Sequence, residues 1–215
     1  MWRTRLCLVL AFLNLFAFAA LAGVGGPAGI VLYHRSGEEV FLLLADHQPP
    51  STRGWGAFGG SYEEGETPAQ TAARETEEET RGYFKRVELL NKIKDQTPFE
   101  DGVFSLFFLE VDHVPAEQIA GGKIPEGDNS YRERGPWAWV PFSEILRHLK
   151  TEPHPQAAAI LDSRLLPAGV ASKHYWPVWL HNMHRALNAG ALPWIKVKTG
   201  NEKAAKVEST AVLAP

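Results

Sequence analysis

Cysteine is almost missing from this 215-residue chain: Cys7 is the only one. It lies in an apolar N-terminal run, so a chain shortened behind that run has no thiol, which excludes disulfides and thiolate chemistry. Basic runs are missing too. The net charge is −3, with no clustered Lys and Arg. That excludes duplex nucleic acid as the main partner, because such binding draws on clustered bases. An anionic ligand must instead meet a bound cation or a few local basic groups. No internal repeat is visible, which excludes a repeat array. The apolar run Leu6–Leu21 is shorter than the ~20 residues that comfortably span a bilayer.

What is present fits one domain with a sizeable core plus additions: 45% of residues are hydrophobic and 22% charged. At the N-terminus, Trp2-Arg3-Thr4-Arg5 is basic, Leu6–Leu21 is apolar except for Asn14, and Ala20-Leu21-Ala22 offers a small-x-small cleavage site. Residues 1–22 therefore read as a secretory signal peptide. The expected location is periplasmic or secreted. An uncleaved membrane anchor is the alternative, and membrane contact is expected only in that case. Residues 23–27, rich in glycine, read as a linker.

Ala28–Tyr33 and Glu39–Ala45 read as strands of a hairpin, turned at Arg35-Ser36-Gly37-Glu38. Glycines crowd at Gly54, Gly56, Gly59 and Gly60, as where a backbone turns sharply or approaches a ligand. A helix then starts at Thr67, a good N-cap, with Pro68 in the first position and Gln70 completing a capping box. Ala69, Ala73, Thr76 and Thr80 form the stripe expected to be buried, and Gly82 is the expected terminator. Val87–Lys94 and Val103–Val111 read as strands about a turn at Pro98–Gly102. Pro115–Arg134 reads as a surface loop, and Trp137–Val140 as the last strand. Helices are expected at Glu144–Leu149, Gln156–Leu166 and Trp176–Leu187, the last stopped by Gly190. Residues 28–150 form the expected domain, 151–198 a helical C-terminal extension, and 199–215 a disordered tail. The order predicts an α/β fold, a central mixed sheet covered by helices.

The chemistry concentrates in Gly60–Gly82, GSYEEGETPAQTAARETEEETRG. Glu75, Glu78 and Glu79 sit at i, i+3 and i+4, where like charges on a helix repel. A hard divalent cation with oxygen ligands removes that penalty. Trp55, Phe58 and Trp137 could stack on a base, core packing being the other reading.

The stretch resembles the Nudix hydrolase signature G-x5-E-x7-R-E-U-x-E-E-x-G-U, in which U is aliphatic. Gly60, Glu66, Arg74, Glu75, Glu78 and Glu79 fall in register. Thr76 stands where the pattern has an aliphatic residue. Arg81 stands where it has the closing glycine, which here follows as Gly82, and this displacement suggests a helix longer by one residue. The resemblance implies an α/β/α sandwich and Mg²⁺-dependent hydrolysis of a diphosphate linkage in a nucleoside diphosphate-X type substrate, with Mn²⁺ as a substitute ion. It implies metal binding by Glu75, Glu78, Glu79 and the Gly59 carbonyl, with Arg74 orienting a carboxylate and Gly60 and Glu66 supporting the site. The general base stays open between Glu75 and Glu133, in the Tyr131-Arg132-Glu133-Arg134 loop. A non-catalytic module binding a phosphorylated ligand is the alternative. The small-molecule diphosphate is the expected partner, and the sequence does not address oligomeric state.

Overall fold

Side-chain alternation along the central strands sends apolar groups to both faces of one sheet, which is why helices cover it twice. The computed structural model describes residues 25–153, 158–170 and 172–195. The signal-peptide reading of 1–22, the linker residues 23 and 24, and the tail reading of 199–215 lie outside the described residues. Among the described residues, no helix is long and apolar enough to cross a membrane.

In chain order the elements are β1 (Ala28–Ser36), β2 (Glu39–His47), β3 (Trp55–Gly56), β4 (Phe58–Gly60), α1 (Pro68–Glu79), α2 (Arg86–Ile93), β5 (Phe99–Asp101), β6 (Phe104–Glu110), α3 (Ala116–Ala120), β7 (Arg134–Pro141), α4 (Phe142–Leu149) and α5 (Pro177–Asn188). The strands form one seven-stranded sheet. β1 and β2 make an antiparallel hairpin with Tyr33 opposite Leu42 and Ser36 opposite Glu39. β1 pairs with β6 in parallel, and β6 pairs with β5 antiparallel. β7 lies antiparallel to β2. Away from the hairpin turn, β3 pairs with the end of β2 and β4 with the start of β1. The short segment Trp55–Gly60 is therefore a corner set between the two splayed strands.

Ile30, Leu32, Leu43, Phe107 and Leu109 pack with Ala72 and Ala73 of α1, Leu89 and Ile93 of α2, and Ile119 of α3. Val31, Tyr33, Leu42 and Leu44 pack with Ile145 and Leu149 of α4 and Trp179, Leu180 and Met183 of α5. This is an α/β/α sandwich about a mixed sheet. Each fully buried Leu, Ile or Phe contributes about 1.5–3 kcal/mol relative to exposure. Beyond α4, the chain returns to the sheet at Trp55, whose N–H donates to the His174 carbonyl at 2.9 Å.

Four sequence expectations change. Val87–Lys94 is not a strand but most of α2: Leu89 and Ile93 are buried at helical spacing, whereas Val87 is 67% exposed. The alternation at 87 and 89 mimicked a strand, and packing under the sheet decided for a helix. Phe99–Asp101, expected as a turn, is a short strand. Pro115–Arg134 is not all loop, for it holds α3 and a 3-10 turn at Ser130–Arg132. Gln156–Leu166 holds no α-helix over its described part, 158–166, only a 3-10 turn at Ser163–Leu165. Ile160 bridges to His174, and the Asp162 carboxylate accepts from the Arg164 N–H, turning the chain. Residues 156 and 157 lie outside the described residues.

Candidate active site

The capping box places the acidic helix. The Thr67 hydroxyl accepts from the Gln70 N–H at 3.3 Å, and the Gln70 side-chain oxygen accepts from the Thr67 N–H at 2.8 Å. Such a cap contributes about 1 kcal/mol. Thr76 and Thr80 are buried, and their hydroxyls donate to the carbonyls of Ala72 and Thr76 at 2.7 and 2.6 Å. A hydroxyl bonded back to the preceding turn can occupy an apolar position without stranding a donor.

The helix end differs from expectation. α1 is not extended, and Gly82 is not the first residue to reverse the chain. Arg81 has φ of 51° and Gly82 has φ of 69°. The Arg81 N–H donates to the Glu78 carbonyl at 3.0 Å and the Gly82 N–H to the Glu77 carbonyl at 2.7 Å. This is a Schellman closure with an arginine in the left-handed position that usually takes glycine. Among the described residues, Arg81 is the only non-glycine with positive φ. Its guanidinium lies 5.0 Å from the Trp137 ring centre and donates to the Ala120 carbonyl at 3.1 Å.

Two arginines divide the acids. Arg74 is buried, with Nε donating to Glu66 Oε1 at 2.8 Å and Nη2 to Glu66 Oε2 at 3.1 Å and the Ser61 carbonyl at 2.8 Å. Its Nη1 reaches Glu75 Oε1 at 3.0 Å and Glu78 Oε2 at 3.2 Å. Glu66 also accepts from the Glu63 N–H and the Thr71 hydroxyl, both at 2.9 Å, and so ties the loop to the helix. Gly60 leaves room for Glu75: a Cβ there would lie 2.5 Å from the Glu75 carboxylate.

Glu79 stands apart from the other two acids. It is buried. Oε1 accepts from Arg134 Nη1 at 3.2 Å, and Oε2 accepts from the Gly59 N–H at 2.9 Å. Glu75 and Glu78 thus converge on Arg74, whereas Glu79 turns to Arg134. In this arrangement no three acidic or histidine side chains among the described residues form a cluster that could hold an ion. Glu133 is exposed at the end of the 3-10 turn, and its charge acts on Glu75 and Glu79. The Gln48 N–H donates to its carbonyl at 2.8 Å, which tethers this segment to the end of β2.

The electrostatics favour an added cation. Burial raises the Glu75 carboxyl against the pull of Arg74, with Glu133 and Glu66 adding to the rise. Burial raises Glu78 to about 7, again against Arg74 and with help from Glu75 and Asp128. Burial also raises Glu79, against Arg134. At Glu66, burial is outweighed by its hydrogen bonds from Arg74, Glu63 and Thr71, so it stays below the usual range. Oxygen donors crowded beyond their neutralising charge suit a hard divalent ion such as Mg²⁺. Glu75 and Glu78 each give one carboxylate oxygen to Arg74, which leaves the other for an ion.

Arg134 and His47 had no sequence signal. Arg132, two residues earlier, is exposed, and nothing local separates the two arginines. Trp55, Phe58 and Trp137 are all buried, so they pack the core instead of stacking on a ligand. The Trp137 indole N–H donates to the Glu79 carbonyl at 3.0 Å.

Comparison with known proteins places this geometry in a family. A family model described as the NUDIX domain matches residues 25–161. No curated protein matches the chain. Among solved structures, it is similar to a C. elegans Ap4A hydrolase in a binary complex, at 22% identity over 58% of this chain and 85% of that one, with a TM-score of 0.33. It is also similar to RenU, a Nudix hydrolase from M. smegmatis, at 14% identity over 78% and 86%, with a TM-score of 0.40. A MutT/nudix family protein from Enterococcus faecalis is similar at 15% identity over 80% and 65%, with a TM-score of 0.40. The family model spans more than half of the chain, including the glycine corner and the whole acidic helix, and the protein therefore belongs to the Nudix family of hydrolases acting on pyrophosphate bonds.

Proposed function

We propose that the protein hydrolyses a diphosphate linkage in a substrate of the nucleoside diphosphate-X type, with Mg²⁺ as the activating ion and Mn²⁺ able to replace it. One observation carries this reading: a single buried guanidinium, Arg74, serves three carboxylates, Glu66, Glu75 and Glu78. The unbalanced negative charge favours a doubly charged ion beside α1. Glu75, Glu78, Glu79 and the Gly59 carbonyl would hold it. When bound, the ion lowers the charge on phosphoryl oxygens and acidifies water.

The chain's own residues supply position and proton handling. Arg74 holds Glu75 and Glu78 side by side until substrate and ion arrive. Glu66 keeps the loop in register with the helix through bonds to Arg74, Thr71 and Glu63. Glu133 or Glu75 would accept the proton of the attacking water. Glu133 is exposed and aligned by the Gln48 tether, and Glu75 has the raised affinity for a proton that a general base needs near neutral pH. The leader-like residues 1–22 support export, or anchoring where that segment is retained.

The test is Glu78→Gln in the full-length chain, assayed on a panel of diphosphate substrates by released monophosphate or phosphate. The expected loss in kcat/KM is about 100-fold or more, since even groups behind metal ligands account for 10–100-fold. Unchanged turnover with a wild-type circular dichroism spectrum would sink the metal assignment.

A further inference from the structure

Arg134 is an anomaly for an enzyme that handles anions: a guanidinium 1% exposed, at the start of a strand, out of reach of any substrate. We propose that Arg134 is a positioning residue, which locks the Glu79 carboxylate to the glycine corner and thereby holds the Phe58–Gly59 peptide from which the Gly59 carbonyl extends. The inference rests on the reading above, in which Glu79 and the Gly59 carbonyl belong to the metal site.

The bonds form a continuous chain. Arg134 Nη2 donates to the carbonyls of Gly56 and Ala57, at 2.7 and 3.1 Å, and of Ala45, at 2.8 Å. It therefore grips both sides of the β3–β4 corner and the end of β2. Nη1 donates to Glu79 Oε1 at 3.2 Å, and the other oxygen of that carboxylate takes the Gly59 N–H at 2.9 Å. Because a peptide is planar, a fixed Gly59 N–H fixes the Phe58–Gly59 plane, and with it the Gly59 Cα from which the Gly59 carbonyl extends. The corner enters this closed ring of contacts at Gly56–Ala57 and leaves it at Gly59. Neither Glu79 nor the Phe58–Gly59 peptide can rotate without breaking a charge-assisted bond.

His47 completes the device. Its Nδ1 lies 2.8 Å from the Gly54 carbonyl and its Nε2 lies 3.1 Å from Arg134 Nη1. A carbonyl only accepts and a guanidinium only donates. The imidazole is therefore neutral, with its proton on Nδ1, and Nε2 is an acceptor for Arg134. Lysine cannot reproduce this set. It is a point charge on a flexible stem, whereas the flat guanidinium reaches several acceptors at fixed angles.

The experiment compares wild type, Arg134→Lys, Glu79→Gln and the double variant in the full-length chain. Mn²⁺ affinity is read from the paramagnetic resonance signal of the free ion, alongside kcat, KM and urea stability. The expected result for Arg134→Lys is a folded protein with Mn²⁺ affinity down about 10–100-fold, kcat reduced and KM little changed. In the double variant Arg134→Lys adds little to the loss from Glu79→Gln, because both interrupt one chain of contacts. Wild-type Mn²⁺ affinity and kcat in Arg134→Lys, with only the urea midpoint lowered, would show a purely structural arginine and overturn the inference. Absence of Mn²⁺ binding by the wild type would overturn both this inference and the metal-site reading beneath it. Should Arg134→Lys fail to fold, His47→Leu, which removes the acceptor, is compared with His47→Gln, which keeps one. Weaker Mn²⁺ binding in the Leu variant supports the device, and equal binding in the two refutes it.

Discussion

Replacing Arg81 by glycine and, separately, by alanine tests the helix closure. At an ordinary helical position alanine is more stable than glycine by about 1 kcal/mol. At Arg81, with φ of 51°, the order should reverse, because a Cβ in the left-handed region costs roughly 1–2 kcal/mol. Both variants lose the same side-chain contacts: the bond to the Ala120 carbonyl and the stack on Trp137. Each of these contributes about 0.5–1 kcal/mol at a partly exposed site. Glycine recovers that loss by relieving the strain and should lie close to wild type. Alanine recovers almost none and should lie about 1–2 kcal/mol below. The contrast between the two variants is free of the lost contacts, so it isolates the backbone. In thermal unfolding it amounts to about 2–4 °C per kcal/mol for a domain of this size. Urea titration should show a shifted midpoint with an unchanged slope. An alanine variant as stable as the glycine variant, or more so, would refute the left-handed assignment and restore the longer helix that the displaced glycine suggested.

Neighbouring glycines should fail in different ways. In Gly60→Ala the atoms nearest the new Cβ are those of the Glu75 carboxylate, from 2.5 Å, at the far end of a flexible side chain, so stability should fall by less than about 1 kcal/mol while turnover collapses. In Gly59→Ala, with φ of +150°, the Cβ would lie 2.6 Å from the Ala28 carbonyl oxygen and from Gly29 Cα. Both are backbone atoms, so unfolding free energy should drop by about 2–4 kcal/mol; similar urea curves for the two variants would contradict this. Acidity should set metal affinity. Burial, Glu75 and Asp128 raise Glu78 from 4.5 to about 7, so the ion-free fold favours the protonated acid. Its contribution to stability is complete below about pH 4.5 and is lost as pH rises through about 7. Ion binding needs the carboxylate, so Mn²⁺ affinity should climb between about pH 6 and about pH 8. A flat or falling titration would show that Glu78 is not a ligand.

The readable part of this protein is local. Thr67, Pro68 and Gln70 mark a helix start by their own chemistry, and the spacing of Arg74, Glu75, Glu78 and Glu79 places them on adjoining faces in any α-helix. The hairpin, the strand β6 and the amphipathic α4 and α5 also follow from short-range pattern, although the parallel pairing of β6 with β1 does not. Residues 86–93 did not, because Val87, Leu89 and Leu90 satisfy a strand and a helix alike. Only burial of Leu89 and Ile93 against the sheet, with Val87 left in solvent, decided between them.

The division of the acids was equally out of reach. Glu78 and Glu79 are adjacent in sequence, yet one leans on Arg74 from its own helix and the other on Arg134, 55 residues away. Local spacing determined that the carboxylates share a helix, since that depends only on backbone geometry. Which of them is buried, and which arginine balances it, was decided where β2, the glycine corner and α1 converge. Burial and charge pairing depend on groups brought together from distant parts of the chain, and such neighbours leave no trace in local pattern.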